Sequence, residues 1–195
     1  MPLELETYKG LSIAVTGHTG FKGTWLTHWL DMLGANVSGF ALPPEHGQRS
    51  IFTETNVEKF VDSVVGDIRD LKQVRSFLVS RRPSIVFHLA AQSLVRRSYV
   101  EPLGTFSVNV MGLVNLLTAV REVDSVRAIV IVTTDKCYVN KGNSVRAFRE
   151  DDPLGGADPY SASKACAELV SSSYRDSFFG GTRRCAVATA RAGNV

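Results

Sequence analysis

The sequence has few cysteines, and they are not arranged to bind a metal or to form a disulfide framework. The 195 residues include three, at Cys137, Cys166 and Cys185, which are odd in number and form no Cys-x-x-Cys motif. Neither stapling disulfides nor a zinc site is predicted from this pattern, and we expect no metal. A reducing compartment such as the cytoplasm fits this cysteine usage best.

Long apolar runs and blocks of positive charge are also scarce. No uninterrupted apolar run approaches the roughly 20 residues of a membrane span, and the N-terminus lacks the basic-then-apolar order of a secretory signal. The 22 Lys and Arg against 19 Asp and Glu leave a net charge of +3. The basic residues are scattered as pairs such as Arg81-Arg82, whereas nucleic-acid binders concentrate them on one face. We therefore expect neither a membrane nor a nucleic acid as a partner.

The sequence does contain short β-branched runs that alternate with longer amphipathic stretches. Runs such as Ile85-Val86-Phe87 are apolar at every position, which is typical of strands covered on both faces. We predict an α/β fold, a doubly wound Rossmann-type parallel sheet with helices on both faces. The predicted strands are residues 11–16, 36–41, 61–65, 84–89, 128–133 and 185–190, and the predicted helices are 20–33, 70–81, 102–123 and 160–178.

A glycine-rich segment, residues 16–23, joins the first predicted strand to the first helix. Gly17 permits a tight turn, Gly20 lets a pyrophosphate approach the backbone, and Gly23 lets the helix pack closely on the strand. The helix N-terminus offers free N–H groups to phosphates. This context predicts a dinucleotide site, although a plain strand–helix turn is the alternative. Lys22 either adds charge near a phosphate or is solvated.

The end of the second predicted strand bears on the choice of dinucleotide. Residues 40–42 contain no Asp or Glu to bind a ribose 2′-hydroxyl, and the first following cation is Arg49. The missing cation argues against a 2′-phosphate site, so NAD is favoured over NADP. Asp67 and Ile68, after the third strand, are expected near an adenine, unless Asp67 caps the helix that starts near Asp70.

Tyr160 and Lys164 are four residues apart and therefore share one face of a predicted helix. A nearby cation favours the phenolate, so we expect the Tyr160 pKa to fall from its usual value near 10 toward neutrality. Thr134, at the end of the fifth strand, is placed to hydrogen-bond the same substrate oxygen. The alternative is a surface tyrosine beside a solvated lysine.

With these motifs the sequence resembles the extended short-chain dehydrogenase/reductase superfamily of NAD-dependent epimerases and dehydratases. The segments 17–23, 90–96 and 133–138 are most similar to the 4,6-dehydratases that act on CDP-glucose, which also have a lysine after the first acid of the catalytic pair. Further matching segments are Asp67-Ile68, Leu89-Ala90-Ala91, residues 109–117 and residues 191–195.

The resemblance implies a dehydration in which NAD is recycled within each turnover. Tyr160 would take the proton of the sugar C4 hydroxyl while a hydride passes from C4 to NAD+, and Lys164 would also bind the nicotinamide ribose. Asp135 would protonate the departing C6 hydroxyl and Lys136 would act at C5, although the roles within this pair stay open. An exposed Asp-Lys turn is the alternative. The product, a CDP-4-keto-6-deoxyglucose, would enter deoxysugar and lipopolysaccharide O-antigen biosynthesis.

The predicted site residues form three overlapping sets. The catalytic set is Thr134, Asp135, Lys136, Tyr160 and Lys164, and the substrate set is Gln92, Arg96, Thr134 and Asn194. His88 is expected to be a core histidine and Asn109 a polar support. The cofactor set is Gly17, Thr19, Gly20, Phe21, Lys22, Gly23, Asp67, Ile68, Leu89, Ala90, Ala91, Gln92, Thr133, Tyr160 and Lys164.

Two other functions share these motifs, and the resemblance also implies a domain organisation. A nucleotide-sugar 4-epimerase or reductase would need Tyr160, Lys164 and Thr134 but not Asp135, and a non-catalytic NAD-binding module would need only the glycine-rich segment. Residues 1–195 are expected to be the NAD-binding Rossmann domain, with a substrate domain beyond the sixth strand. The predicted helices 102–123 and 160–178 are expected to form a homodimer interface.

Overall fold

The computed structural model describes residues 5–44, 49–140, 142, 146–180 and 185–193. Six strands form one sheet in the order β3-β2-β1-β4-β5-β6, and every neighbouring pair is parallel. The strand order reverses between β1 and β4, which is the doubly wound Rossmann order. The fold prediction is therefore confirmed. The strands are β1 (Ser12–Thr16), β2 (Asn36–Ala41), β3 (Asp62–Val65), β4 (Ile85–His88), β5 (Ala128–Thr134) and β6 (Ala186–Ala192).

Helices cover both faces of the sheet. In β1, Ile13 and Val15 pack on one face with Leu30, whereas Ala14 packs on the other face with Leu116 and Leu117. Successive strand side chains point to opposite faces, so a strand buried on both faces must be apolar throughout. The helices are α1 (Phe21–Met32), α2 (Ile51–Glu54), α3 (Leu71–Arg81), α4 (Val95–Val100), α5 (Pro102–Phe106), α6 (Gly112–Val120) and α7 (Pro159–Phe178), and 3₁₀ turns occupy Leu5–Tyr8, Val57–Lys59 and Asp135–Cys137.

The single helix predicted over residues 102–123 is divided in the structure. A π-helical turn, Ser107–Met111, separates α5 from α6, and Asn109 within it is buried. A Cβ on Gly112 would lie 2.7 Å from the side chain of Ile68, so the start of α6 closely approaches the loop after β3. π-turns of this kind are frequent at functional sites.

The stretch Pro102–Val120 is long and apolar enough to cross a membrane, with a mean hydropathy of 1.6, and 44% of it is buried. Polar residues such as Asn109 and Asn115 interrupt the apolar run, so this stretch was predicted as part of a helix and not as a membrane span. Its apolar face packs on the sheet through Leu113, Leu116 and Leu117. Length and composition do not separate a core helix from a membrane span, and packing on the sheet accounts for this one.

Two short helices, α2 and α4, were not predicted. They contain four and six residues, which is too short for a hydrophobic period to be visible. In α4, the Ser98 hydroxyl accepts a hydrogen bond from the backbone N–H of Tyr160 at 3.2 Å. This contact places α4 against the N-terminus of α7, where the predicted catalytic residues begin.

Candidate active site

The glycine-rich turn is held by close backbone contacts. Gly17 has a φ of +78°, and a Cβ there would lie 2.6 Å from the nitrogen of Ala90. A Cβ on Gly23 would lie 2.0 Å from the carbonyl oxygen of Gly17. At both positions a side chain would displace backbone, so only glycine fits. A Cβ on Gly20 would meet only that same oxygen, at 3.4 Å.

The N-terminus of α1 opens onto a cleft at the carboxyl ends of the strands. Gly20 is the N-cap, and no side chain among the described residues caps the helix. Its first N–H groups and the positive end of its dipole are therefore available to an anion. These features fit the pyrophosphate of a dinucleotide.

The cleft has a volume of about 560 Å³. It contains every residue of the predicted cofactor set except Gln92, together with Thr134 of the catalytic set. The structure therefore brings these residues together, and the individual contacts with a cofactor stay predictions. The cleft residues outside the predicted site sets are Phe40, Ala41, Leu42, Gly66, Ser93, Val108, Val132, Ala192 and Gly193.

Asp67 lies in the cleft but does not cap α3. Its carboxylate accepts hydrogen bonds from the backbone and side chain of Arg69 at 2.5–3.0 Å, and these bonds lower its pKa. The cap is Asp70, whose carboxylate accepts from the N–H groups of Lys72 and Gln73. The capping alternative for Asp67 is therefore wrong, because the helix starts one residue after Asp70.

Gln92 and Arg96, both of the predicted substrate set, are not among the residues that line the cleft. The Gln92 side-chain amide donates to Thr105 at 2.9 Å and to the Leu94 carbonyl oxygen at 3.2 Å, so this side chain braces its own loop. Arg96 is exposed on α4 and does not line the cleft. Asn194 lies outside the described residues.

The polar support expected from Asn109 is present. Its side chain accepts from the Gln92 N–H at 2.8 Å, donates to the Gln92 carbonyl oxygen at 3.0 Å and donates to Ser163 at 2.9 Å. The π-turn thereby ties the loop after β4 to α7. His88 is buried and shares a 2.7 Å hydrogen bond with Thr16, and burial lowers its pKa to about 3. The prediction of a core histidine is confirmed.

Tyr160 and Lys164 lie on the first two turns of α7 and are each 8% exposed. Asp158 caps this helix, because its carboxylate accepts from the Ser161 N–H at 3.0 Å. The Lys164 ammonium donates to the carbonyl oxygen of Val132 at 3.1 Å. This bond fastens α7 to β5 directly beside the cleft.

The pKa of Tyr160 is shifted in the direction opposite to the prediction. Burial raises it, a hydrogen bond with Thr134 opposes the rise, and the negative charges of Asp135 and Asp158 add to it. Lys164 donates to β5 instead of stabilising a phenolate, and its own pKa is lowered to about 8 by burial and by the charge of Lys22. The expected coupling between ammonium and phenol is therefore wrong for this state of the protein.

Asp135 and Lys136 do not line the cleft themselves; they lie in the 3₁₀ turn directly after Thr134, which does. Thr134 donates to the Asp135 carboxylate at 3.0 Å, and the Lys136 ammonium is 3.7 Å from that carboxylate. The two side chains are 52% and 35% exposed. An acid and a cation thus stand beside Thr134, the residue that also contacts Tyr160.

Lys22 reaches across the cleft from α1, and its ammonium donates to the carbonyl oxygen of Gly193 at 3.3 Å. Thr133 lines the cleft, but its hydroxyl donates a hydrogen bond to the Glu168 carboxylate. Glu168 and its partner Arg191 were not identified as functional from the sequence. The sequence feature that could have identified Glu168 is its spacing, because it follows Lys164 by four residues and so lies on the same helix face.

A six-stranded parallel sheet, a glycine-rich turn at its switch point and a Thr-Tyr-Lys set at the same edge define a dinucleotide-binding protein of the short-chain dehydrogenase/reductase type. Comparison with known proteins agrees. The chain belongs to the GDP-mannose 4,6-dehydratase family, whose model matches residues 14–185. The superfamily resemblance seen in the motifs is thereby confirmed.

Individual relatives are enzymes of nucleotide sugars. The CDP-glucose 4,6-dehydratase of Salmonella typhimurium is 47% identical over 99% of this chain and 54% of its own length. The structure of a UDP-glucose 4-epimerase of Thermus thermophilus, in complex with NAD, has a TM-score of 0.73 at 32% identity and covers 85% of this chain and 51% of its own. An epimerase of Methanothermobacter thermautotrophicus shares the fold with a TM-score of 0.78 at 23% identity, over 96% and 52% of the two chains. The chain spans about half the length of the relatives it matches.

Proposed function

We propose that this chain is the cofactor-binding and catalytic part of a nucleotide-sugar 4,6-dehydratase that converts CDP-glucose to CDP-4-keto-6-deoxyglucose and water. Family membership supports an enzyme of the dehydratase and epimerase group. The choice of CDP-glucose is supported by the 47% identity to the Salmonella enzyme. Residues 1–195 correspond in this proposal to the NAD-binding domain, and the remaining sugar and base contacts lie outside it.

The observation that carries the proposal is the position of Asp135. Its carboxylate accepts from Thr134 at 3.0 Å, and its charge acts on the phenol of Tyr160. An elimination needs an acid at the departing hydroxyl in addition to the base at C4, whereas a 4-epimerisation needs only the base. An acid beside Thr134 and Tyr160 therefore favours the dehydratase.

The cofactor of this family is NAD, and the cleft fits it. The N–H groups at the start of α1 would hold the pyrophosphate, Asp67 and Ile68 would border the adenine, and Lys164 would hold the nicotinamide ribose. When bound, NAD+ supplies the acceptor for the C4 hydride and returns that hydride to C6.

The residues of this chain handle the protons. Tyr160 takes the C4 hydroxyl proton, with Thr134 hydrogen-bonded to the phenol. The 4-ketone acidifies the C5 hydrogen, which leaves as a proton to Lys136 in its neutral form while Asp135 gives a proton to the C6 hydroxyl, released as water. When the hydride reaches C6, Lys136 returns the proton to C5. Burial raises the pKa of Tyr160, so the phenolate that accepts this proton becomes more abundant as the pH rises. The Thr134 hydrogen bond is the contribution of this chain that opposes that shift.

A 4-epimerase is the second candidate, favoured by the 32% identity to the Thermus enzyme. It would use the same Thr134, Tyr160 and Lys164. It would return the hydride to C4 and would leave the C6 hydroxyl in place. The two candidates therefore differ in whether Asp135 is needed and in whether water is lost.

The test offers CDP-, dTDP-, GDP- and UDP-glucose to the full-length protein and follows 4-keto-6-deoxy sugars by NMR. CDP-glucose should give product, and Asp135→Asn should lower its rate by about 10²- to 10⁴-fold, the usual contribution of a general acid. Asp176→Asn, an exposed carboxylate near the far end of α7, is the matched control and should leave the rate unchanged. No product from CDP-glucose would exclude this substrate, and an undiminished rate in Asp135→Asn would exclude the role of Asp135.

We further propose a cytoplasmic homodimer that serves deoxysugar and O-antigen biosynthesis. The dimer is supported by exposed apolar side chains on neighbouring helices, with Val100 81%, Leu103 84% and Leu169 61% exposed. Apolar patches of this kind mark interaction surfaces. Sedimentation of the full-length protein tests the dimer.

A further inference from the structure

A buried carboxylate joins three elements behind the candidate active site. Glu168 on α7 accepts hydrogen bonds from Thr133 on β5, from Thr189 on β6 at 2.9 Å and from the Arg191 guanidinium on β6 at 2.9 Å. Its side chain is 5% exposed. Burial alone would raise the pKa of this carboxyl, but these hydrogen bonds overcome that effect and lower it. Glu168 therefore stays charged and fully bonded inside the protein.

Arg191 extends this connection to the segment after the catalytic turn. Its guanidinium donates to the Tyr138 hydroxyl and to the Glu150 carbonyl oxygen, both at 2.8 Å. It also lies over the Tyr138 ring, 4.9 Å from the centroid, and that ring stacks on Phe148 at 4.6 Å. One guanidinium thus holds two distant points of the long segment between β5 and α7.

Strand β5, the turn that follows it and α7 are all bonded to this pair, and each of them carries a residue of the proposed mechanism. Thr133 directly precedes Thr134, and Tyr138 follows Asp135 by three residues. On α7, Glu168 lies one turn after Lys164 and two turns after Tyr160, on the same face. The pair therefore connects the backbone positions of the base, the acid and the hydroxyl between them, and neither of its members lines the cleft.

We propose that Glu168 and Arg191 are positioning residues that fix Thr134, Tyr160 and the Asp135–Lys136 turn in one reactive arrangement without touching substrate. This inference rests on the proposed function, because it assigns a task within that reaction. Small displacements of reacting groups are costly, since about 1 Å can lower a rate by about a hundredfold. One buried ion pair that holds three elements together would keep such displacements small.

The charge of Glu168 also reaches Lys164, which provides a readout beyond folding. The charged and titratable groups that face Lys164 are Lys22 from α1, Glu168 from its own helix and His88 from β4. Lys22 lowers the Lys164 pKa and Glu168 raises it, while His88 is neutral at physiological pH. Removing the Glu168 charge must lower the Lys164 pKa, so Lys164 would lose its proton at a lower pH.

The experiment compares Glu168→Gln, Glu168→Asp and Arg191→Lys in the full-length protein. We expect Arg191→Lys, which keeps the charge but loses the planar fork, to lower kcat at least tenfold with NAD affinity unchanged. Glu168→Gln should move the alkaline limb of the kcat–pH profile to lower pH, and Glu168→Asp should restore the limb. Arg175→Lys, on the exposed face of α7, is the matched control and should change neither quantity.

A milder variant keeps the proposal testable if the ion-pair variants fail to fold. Tyr138→Phe removes only the hydroxyl that accepts from Arg191 and keeps the stacked ring, and it should still lower kcat without weakening NAD binding. The inference is overturned if kcat falls only with the folded fraction, measured by circular dichroism, and the pH profile stays unchanged. Tyr160→Phe distinguishes failure of the proposed function from failure of the positioning role. Full activity in this variant would contradict the proposed function itself, independently of the results for Glu168 and Arg191.

Discussion

The two walls of the cleft are built by different physical means. On the wall formed by β1 and α1, backbone segments are in direct contact, so there is no space for a Cβ at Gly17 or Gly23. On the wall formed by β5 and α7, side chains make the connections, through Lys164 to Val132 and through Glu168 to Thr133. The first wall is shaped by the absence of side chains and the second by their hydrogen bonds.

This difference decides how each wall responds to change. A steric contact fails abruptly when an atom is added, whether its partner is near in sequence, as Gly17 is to Gly23, or distant, as Ala90 is to Gly17. A polar network such as that of Glu168, whose side-chain partners lie 21 to 35 positions away, changes both geometry and charge when one member is altered. We therefore expect substitutions on the first wall to act on folding and cofactor binding, and those on the second to act on rate and pH dependence.

The largest effect is expected on the first wall. Gly23→Ala would place a Cβ 2.0 Å from the Gly17 carbonyl oxygen, and we expect a loss of about 3 kcal/mol of stability or more, together with NAD binding. Gly20→Ala, with its nearest contact at 3.4 Å, should fold and lose NAD affinity only. Gly180→Ala, where no described atom lies within 4 Å, is the control. Thermal unfolding and calorimetric titration with NAD measure both quantities, and equal stability of all three variants would contradict the steric account.

The next effect tests the second wall. Tyr160→Phe should fold normally and bind NAD but lose about 10²- to 10⁴-fold in kcat, because the proton acceptor is removed. Tyr174→Phe removes a hydroxyl from the same helix, where it hydrogen-bonds Thr118 at 3.0 Å, and should keep its activity. A similar rate loss in both variants would mean that the helix, and not the phenol, is being perturbed.

The smallest effect compares the cap of α7, on the second wall, with the cap of α3, which belongs to neither wall. Asp158→Asn and Asp70→Asn both keep an oxygen that can cap the helix, so each should cost less than about 1 kcal/mol. Of these two carboxylates, only Asp158 raises the pKa of Tyr160, so Asp158→Asn should lower that pKa, measured by ultraviolet titration of the phenol with Tyr160→Phe as the blank. Asp70→Asn should leave the pKa of Tyr160 unchanged, and a shift in both variants would show that the charge of Asp158 is not its cause.

The two walls also differ in how far the sequence predicted them. The strand positions and the glycine-rich turn were predicted because their signals are local: a run of apolar residues, or three glycines at fixed spacing between strand and helix. Side-chain direction was harder to predict. Gln92, placed in the cofactor and substrate sets, donates its amide to Thr105 on α5, and Lys164, expected to favour the phenolate, donates to the Val132 carbonyl oxygen of β5.

The residue pattern alone was enough to predict the doubly wound sheet, the dinucleotide turn and most of the residues that line the cleft. These predictions rest on backbone sterics and hydrophobic periodicity, which act over a few residues. The electrostatics of the site arise only on folding, because burial and distant charges set the pKa of Tyr160 and that of Lys164. Folding also pairs Glu168 on α7 with Arg191 on β6, which lies 23 residues further along the chain.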